Sequence, residues 1–175
     1  AETPAKLHAV NALVPAIRDA ERTLIFTQSI ESANTIATEL STSGLAVAVH
    51  HSQVSSAERD HIMADFESGA ISVLATVQTL EEGVDVPEAD LAIIVASSKQ
   101  RRQMIQRMGR IMRRKADGRD ARFVIMYVEG TDEDPREGAH DAFVSELVEV
   151  ARESTVVSVS EAAGLRDFLR PDRMD

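Results

Sequence analysis

Short apolar runs alternate along this chain with segments of helical periodicity, and this alternation limits the folds that the chain can adopt. The runs that predict strands are Thr23–Thr27, Leu45–His50, Ile71–Ala75, Leu91–Ala96 and Ala121–Val128. The segments that predict helices are Ala5–Ala20, Ser29–Ser43, Ser55–Gly69 and Asp134–Ala151. Strands this apolar are buried on both faces, so the sequence predicts an α/β fold with a mostly parallel central sheet and helices on both faces.

Composition bounds the class of protein and its surroundings. The 175 residues suit one domain with a sizeable core, which we expect to span residues 1–153. Residues 154–175 are predicted to form a tail, with a short helix capped by Ser160 before Pro171. The absence of Cys excludes disulfides and cysteine-ligated metal sites. No apolar run approaches the ~20 residues that cross a bilayer, so we expect a cytoplasmic protein without a membrane partner.

Three polar segments follow strands of the predicted sheet. They are Thr27–Ser29 after the first strand, Thr76–Pro87 after the third and Ser97–Arg114 after the fourth. In open parallel sheets, ligands bind beyond the carboxyl ends of the strands. The sequence therefore predicts a single functional edge built from these three segments.

The strongest charge feature is a basic segment, Lys99–Lys115. It holds eight of the 19 Lys and Arg residues and no Asp or Glu, although the whole chain has a net charge of -10. A helix here would align Gln106, Arg110 and Arg113 on one face. A solvated basic face is the alternative for such a charge run. The absence of acids within the segment favours phosphate binding, for which the planar guanidinium is well suited.

Four stretches of the chain resemble, in order, motifs of the second RecA-like domain of superfamily 2 helicases. RTLIFTQS resembles motif IV, HHSQVSSAERDHIMADFESG the helix region after it, VLATVQTLEEGVDVPEAD motif V, and QRMGRIMRR motif VI. Gln106 stands where many relatives carry histidine, which is more similar to the excision-repair and restriction-enzyme-like DNA helicases than to the DEAD-box RNA group. The resemblance implies a RecA-like three-layer sandwich over residues 1–153.

For motif VI, the resemblance implies residues that act on ATP. Arg110 and Arg113 match the arginines that reach across an interdomain cleft to the γ-phosphate, one of them as the arginine finger. In that role they are the expected catalytic residues, because they stabilise charge on the transferring phosphoryl group. Gln106 and Arg107 are expected to organise the cleft or to link ATP to the nucleic-acid site.

For motif V, the resemblance implies contacts to nucleotide and to nucleic acid. Gly83 and Asp85 match positions where the backbone bends close to the nucleotide and a carboxylate binds a ribose hydroxyl. A simple turn before Pro87 is the alternative role for Asp85. Val77 stands nearest to the usual Thr or Ser of this motif and Thr76 is its neighbour, so the choice of phosphate contact between them stays open.

The nucleic-acid contacts that the resemblance implies fall on loops beside the strands. Backbone amides and hydroxyls there bind phosphates without reading the base sequence. The implied residues are Thr27, Gln28, Ser29, His51 and Thr76. His50 adjoins His51, but further metal ligands are lacking nearby, and we expect no metal site.

One half of a nucleotide site is missing from the sequence. No GxxxxGK[ST] motif occurs, so the chain cannot cradle the β- and γ-phosphates alone. The run Asp132-Glu133-Asp134 resembles a DExD box only by letter, because Glu129, Gly130 and Thr131 separate it from the preceding strand; we expect a surface loop. We expect a first RecA-like domain ahead of Ala1 to bind most of the ATP and Mg²⁺, and the isolated chain to be inactive.

The sequence thus predicts the C-terminal motor domain of an ATP-dependent helicase or translocase. Its expected partners are nucleic acid, DNA rather than RNA, and the N-terminal RecA-like domain of the same protein. The alternative is a non-catalytic helicase-like module that binds nucleic acid or a protein partner.

Overall fold

A computed structural model of the protein describes residues 3–77, 88–95, 120–131, 134 and 151–170. The helices in this part are Pro4–Ala9 (α1), Val14–Asp19 (α2), Ile30–Thr42 (α3), Ser56–Ser68 (α4) and Leu165–Phe168 (α5), with 3-10 helices at Val10–Leu13 and Val159–Gly164. The strands are Thr23–Thr27 (β1), Val47–His50 (β2), Val73–Val77 (β3), Leu91–Ile94 (β4) and Arg122–Ile125 (β5). The helix predicted at Asp134–Ala151 lies outside the described residues except for its two end positions.

The described strands form one parallel sheet in the order β2-β3-β1-β4-β5. The central strand β1 pairs with β3 on one side and with β4 on the other, so that Phe26 stands between Thr76 and Ile94. Strands β2 and β5 extend the sheet on either side in the same direction. The α/β fold with a parallel sheet is therefore confirmed.

Side chains alternate between two apolar layers, one on each face of the sheet. On one face, Leu24 and Phe26 of β1 pack in a cluster with Phe66 of α4. On the other face, Ile25 packs in a second cluster with Ile36 of α3 and with apolar residues of α2 and the first 3-10 helix. Because helices cover both faces, all five β1 side chains are buried. This is the three-layer arrangement that the apolar strands predicted.

The helix predicted at Ala5–Ala20 is wrong in part, because the structure divides it into α1, a 3-10 helix and α2. Pro15 lies in the first turn of α2 and has no backbone N–H to donate to the preceding turn. Immediately before it, the N–H of Val14 donates to the carbonyl of Asn11 in the shorter 3-10 pattern. Proline is tolerated at a helix start, so the chain restarts its helix here.

Strands β2 and β3 begin two residues later than predicted, and the preceding helix ends explain the shift. Gly44 and Gly69 adopt positive φ values of 79° and 83° just beyond α3 and α4. The N–H groups of Leu45 and Ile71 then donate to carbonyls of those helices, at 3.2 and 3.1 Å. Because these two amides close the helices, they are not available to the sheet.

The tail packs on the core through its final helical turns. Leu169, just after α5, is 3% exposed and belongs to the apolar cluster that contains Ile25 and Ile36. The predicted short helix is confirmed, but its predicted cap is wrong, because Ser158 rather than Ser160 is the N-cap. The N–H of Ser158 donates to the Glu161 carboxylate at 3.3 Å, which completes a capping box. The domain boundary after residue 153 stays a prediction.

Candidate functional site

The carboxyl ends of the strands lie side by side and form what we call the carboxyl edge. His50 at the end of β2 is level with Thr76 of β3, and Thr27 at the end of β1 is level with Val77. The predicted loop residues Gln28 and His51 directly follow β1 and β2. The edge therefore holds all of the predicted nucleic-acid contacts: Thr27, Gln28, Ser29, His51 and Thr76.

Two of these five residues are buried within the edge. Thr27 is 3% exposed and Thr76 is 1% exposed. The Thr27 hydroxyl lies 3.3 Å from the carbonyl of Thr76 and 3.2 Å from that of Ser29, and its single proton can be donated to either. It thereby links the end of β1 to β3. The surface that a phosphate can reach here belongs to exposed Gln28 and half-buried Ser29.

Ser29 is the N-cap of helix α3 at this edge. Its backbone is extended and its hydroxyl oxygen accepts from the N–H of Ser32 at 3.1 Å, while the hydroxyl donates to the Ser32 side chain at 2.8 Å. Capping satisfies one of the N–H groups that have no carbonyl partner within a helix. The N-terminus of α3 carries a partial positive charge and lies where β1 meets solvent.

The loop after β2 leads to a second helix start. Nδ1 of His51 accepts from the N–H of Gln53 at 3.2 Å, so a neutral His51 ring carries its proton on Nε2 and can donate it. The Ser55 hydroxyl accepts from the N–H of Glu58 at 3.3 Å and caps α4. The carboxyl edge therefore combines two helix N-termini with side-chain hydrogen-bond donors, an arrangement suited to anions.

The predicted ATP-site residues lie outside the described residues, and they are Gly83, Asp85, Gln106, Arg107, Arg110 and Arg113. The strands that precede them are described. β3 ends at Val77, and the N–H of Val95 continues the β4 ladder by donating to the carbonyl of Phe26 at 3.0 Å. The chain thus leaves the sheet at the carboxyl edge on its way to residues 78–87 and again on its way to residues 96–119.

The opposite edge, which we call the amino edge, contains an ion pair that the sequence analysis missed. Asp90 is 2% exposed, and its carboxylate accepts from Nη2 of Arg122 at 2.7 Å. It also accepts from the N–H groups of Arg22 and Glu21, at 2.8 and 3.1 Å. The sequence did contain a signal for this ion pair, because Asp90 and Arg122 are charged residues at the starts of two otherwise apolar strands. A charge in that position needs a buried partner.

Arginine side chains also bind carbonyl groups at the amino edge. Arg122 donates through Nη1 to the carbonyl of Leu169, where the tail helix ends. Arg22 donates through Nε to the carbonyl of Phe66 at 2.8 Å and through Nη2 to that of Glu67, in the last turn of α4. These carbonyls lie at helix ends, where the regular helical pattern of N–H partners stops, and that of Phe66 also accepts from the N–H of Gly69 at 3.3 Å. A cation there also faces the negative end of the helix dipole.

The run Asp132-Glu133-Asp134 is described only at Asp134, and the surface position expected for that residue is wrong. Asp134 is 1% exposed, and its carboxylate accepts from the N–H of Gly130 at 2.9 Å. Gly130 has φ 70°, and the carboxylate closes the turn that follows β5. The structure therefore gives Asp134 a turn-closing contact, which a sequence of three acids does not reveal.

The described residues were compared with the requirements of a metal site and of a membrane-spanning helix, and they meet neither. Within these ranges, no group of three His, Asp or Glu side chains is placed to hold a metal ion. Every helix in the same ranges is too short or too polar to cross a bilayer.

Comparison with known sequences defines the class of protein. The sequence model described as the helicase conserved C-terminal domain matches residues 5–115, which is more than half of the chain. The chain belongs to this family, and the resemblance to superfamily 2 helicases is confirmed. The UvrABC system protein B of Bacillus caldotenax is 35% identical over 114 residues, which cover 62% of this chain and 17% of that protein. The chain thus spans less than a quarter of the length of such relatives.

Comparison with solved structures supports the same fold. The C-terminal domain of the DEAD-box protein Dbp5 aligns with a TM-score of 0.73 at 19% identity, over 97% of this chain and 92% of that one. Saccharomyces cerevisiae Dbp5 bound to RNA and ADP BeF3 aligns with a TM-score of 0.71 at 20% identity, over 94% of this chain and 41% of that one. The predicted RecA-like α/β fold is confirmed.

Proposed function

We propose that the chain is the C-terminal motor domain of an ATP-dependent nucleic-acid helicase or translocase, with the carboxyl edge as its working surface. The main support is the family match over residues 5–115, which includes the four strands β1 to β4 that end at this edge. At the same edge, β1 and β2 lead into helix N-termini, and β3 and β4 lead towards the motif V and motif VI residues.

The proposed ATP half-site combines neutral donors with arginines. The positive charge that a triphosphate requires is assigned to Arg110 and Arg113, because they match the motif VI arginines that reach the γ-phosphate in superfamily 2 helicases. These guanidinium groups would stabilise charge on the transferring phosphoryl group from across an interdomain cleft. Gly83 and Asp85 would contact the nucleotide, and Gln106 and Arg107 would organise the cleft, with Mg²⁺ held mainly by the N-terminal RecA-like domain.

The proposed nucleic-acid track follows the starts of α3 and α4. Gln28 is exposed beside the N-terminus of α3, and His51 lies in the loop that leads to α4. Amides, an imidazole N–H and a carboxamide can bind phosphate oxygens whatever the base sequence. Buried Thr27 and Thr76 would support this track by fixing the strand ends behind it. Because the residues assigned to this track include no Lys or Arg, the salt dependence of binding would come from the basic segment Lys99–Lys115.

The proposed substrate is DNA rather than RNA. Motif VI with Gln106 is similar to that of excision-repair and restriction-enzyme-like helicases, and relatives found by sequence include UvrABC system protein B. The structural neighbour Dbp5, in contrast, was solved with RNA, so both nucleic acids belong in the test.

The test compares the full-length protein with the isolated 175-residue chain. ATP turnover is measured with single-stranded DNA, duplex DNA and RNA, at low and at high salt. We expect DNA to stimulate turnover by the full-length protein, and the isolated chain to bind DNA weakly without hydrolysing ATP. Robust turnover by the isolated chain would contradict the half-site. A full-length protein without stimulated turnover would support the non-catalytic module instead.

A further inference from the structure

Strand β2 is the outermost described strand on its side of the sheet, and its free edge is apolar. Within the described sheet it pairs only with β3, and Val47, Ala48 and Val49 are half-buried, whereas every β1 side chain is buried. Residues 44–50 contain no Lys, Arg, Asp, Glu or Pro. Natural edge strands usually carry charges or a proline that prevent pairing with another chain. Because β2 lacks these protections, its edge is suited to a further strand.

The free edge of β2 presents backbone hydrogen-bonding groups at two residues. The carbonyl of Ala46 points towards β3, where it accepts from the N–H groups of Ser72 and Val73 at 3.0 Å. Backbone groups alternate in direction along a strand, so the N–H and C=O groups of Val47 and Val49 point away from β3. An added antiparallel strand can therefore form two hydrogen-bonded pairs here, one with Val47 and one with Val49.

A segment suited to this edge lies in the same chain, at residues 153–158. The segment is exposed throughout and forms neither helix nor strand. Three consecutive β-branched residues, Thr155, Val156 and Val157, favour an extended strand. The exposed large apolar side chains of the described residues all belong to this end of the chain, and they are Val156, Val157, Val159 and Phe168. Pairing with a strand edge would shield two of these valines from water.

The segment cannot lie along β2 of its own molecule. Arg152, directly before it, pairs with Asp120 at 2.9 Å, next to the start of β5. Directly after it, the 3-10 helix Val159–Gly164 packs against the 3-10 helix Val10–Leu13. β5 and β2 are at opposite ends of the five-stranded sheet, four strand spacings or roughly 19 Å apart. A strand added to β2 must therefore come from another molecule, and a second copy of this chain supplies one.

One antiparallel register places the apolar side chains of the two strands together. With Val157 opposite Val47, Thr155 stands opposite Val49, and both pairs use the outward backbone groups of β2. The side chains of Val47 and Val49 pack against the apolar cluster that contains Ile25, so this register would extend that cluster. A shift by one residue in either direction would place a serine opposite one of the two β2 valines.

The same register also fits the neighbouring positions. Val156 then stands opposite Ala48, whose side chain packs on the other face of the sheet. Beyond the end of β2, Glu153 stands opposite His51, whose neutral ring can donate from Nε2. The carboxylate is thus complementary to the imidazole N–H, and to the imidazolium when His51 is protonated.

We propose that residues 153–158 of one copy add as an antiparallel strand to β2 of a second copy. The contact is heterologous, because each copy uses residues 153–158 on one neighbour and its β2 edge on another, so association continues into chains. A six-residue strand buries less than the roughly 1,200 Å² of a stable interface, so we expect weak association that increases with protein concentration. This inference concerns self-association and does not rest on the proposed function.

Sedimentation equilibrium of the full-length protein, up to its solubility limit, measures this association. The average mass of wild type should rise with concentration. Val157→Pro should weaken association about fivefold or more, because it removes an N–H that donates to β2. Phe168→Lys is the matched control, since Phe168 is 40% exposed near the same end of the chain but lies outside residues 153–158. A monomeric wild type, unchanged association in Val157→Pro, or an equal loss in both variants would overturn the proposal.

A mixing experiment identifies the two surfaces that meet. Val47→Pro blocks the β2 edge and should keep the fold, because Val47 is the first residue of an edge strand and its N–H points away from β3. Val47→Pro and Val157→Pro should each associate poorly alone, but an equimolar mixture should form a 1:1 complex, since each variant keeps the surface that the other lacks. A mixture that associates no more than its components would overturn the heterologous contact.

Disulfide trapping tests the register in the 175-residue chain, which contains no Cys. In the proposed register, Ala48 and Val156 form a non-hydrogen-bonded pair, where Cα atoms about 4.5 Å apart suit a disulfide. A mixture of Ala48→Cys and Val156→Cys should therefore form a disulfide-linked heterodimer faster than a mixture of Thr38→Cys and Val156→Cys. Thr38 is the control because it is exposed on α3, away from the β2 edge. Equal rates in the two mixtures would overturn the proposed pairing.

Discussion

The two edges of the sheet use polar residues for opposite purposes. At the amino edge, Asp90 and Arg122 are charged, buried and bound to each other and to backbone groups. At the carboxyl edge, Gln28 is exposed beside a helix N-terminus, and the buried hydroxyl of Thr27 lies within hydrogen-bond distance of the carbonyl of Thr76 in β3. The amino edge therefore holds the fold together, whereas the proposed chemistry is assigned to the carboxyl edge. Substitutions at the two edges should therefore separate stability from function.

The largest loss of stability is expected at the amino edge, for Asp90→Ala. This change leaves the Arg122 guanidinium buried without its carboxylate and removes the acceptor of two backbone N–H groups, which should cost about 3 to 5 kcal/mol. Urea unfolding of the isolated chain measures the free energy of unfolding. The matched control is Asp19→Ala, which removes a half-exposed pair with Arg166 and should cost about 0 to 1 kcal/mol. Equal losses for the two variants would contradict a structural role for the amino edge.

A smaller loss is expected for Leu169→Ala, where the tail meets the core. The Leu169 side chain is 3% exposed, so its truncation should cost about 2 kcal/mol or more in urea unfolding. Phe168 is the neighbouring control, since it is 40% exposed and Phe168→Ala should cost less than about 1 kcal/mol. If the Phe168 variant is the less stable of the two, the packing of the tail described here is wrong.

A still smaller loss is expected at the carboxyl edge, for Thr27→Val. Valine keeps the shape but removes the hydroxyl that binds a carbonyl of β3 or of Ser29, at a cost of about 1 kcal/mol in the free energy of unfolding. Thr35→Val is the control, because the Thr35 hydroxyl makes an exposed bond to the carbonyl of Glu31. A Thr27 variant as stable as wild type would show that this hydroxyl does not hold the edge.

Gln28→Ala is expected to have the smallest effect on stability, but it should weaken the binding of DNA. Its free energy of unfolding should stay within about 0.5 kcal/mol of wild type because the side chain is exposed. Loss of one hydrogen bond to phosphate, worth about 1 kcal/mol, should weaken DNA binding by the full-length protein about fivefold. Asn34→Ala, an exposed amide further along α3, is the control for binding. Unchanged affinity in the Gln28 variant would remove this residue from the proposed track.

Local patterns in the sequence predicted most of the sheet. The run TLIFT gave β1 with its observed bounds because both faces of a central strand are apolar. The starts of α3 and α4 could be predicted from Ser29 and Ser55. An N-cap side chain binds an N–H group of the helix that directly follows it, so the signal is local in the sequence. The error at Pro15 was avoidable, because its missing N–H already argued against a continuous first helix.

Local sequence patterns could not predict the contacts between distant parts of the chain. Asp90 and Arg122 are 32 residues apart, and their pairing depends on β4 and β5 being neighbours in register. The burial of Thr27 also depends on a contact between distant residues, because its hydroxyl lies against the carbonyl of Thr76, which is 49 residues away in the sequence. The sequence predicted that Thr27 lies at the functional edge, but the partner of its hydroxyl follows only from the order of the strands.

ATP turnover by the full-length protein carrying Arg110→Ala or Arg113→Ala measures whether these arginines act on ATP. The assay uses saturating single-stranded DNA, with Arg18→Ala as the arginine control and DNA binding as the check that the domain is folded. We expect at least one of the two variants to lose about 10³-fold in kcat while DNA binding is retained. Turnover within about tenfold of wild type in both variants would contradict the assignment of these arginines to the ATP site.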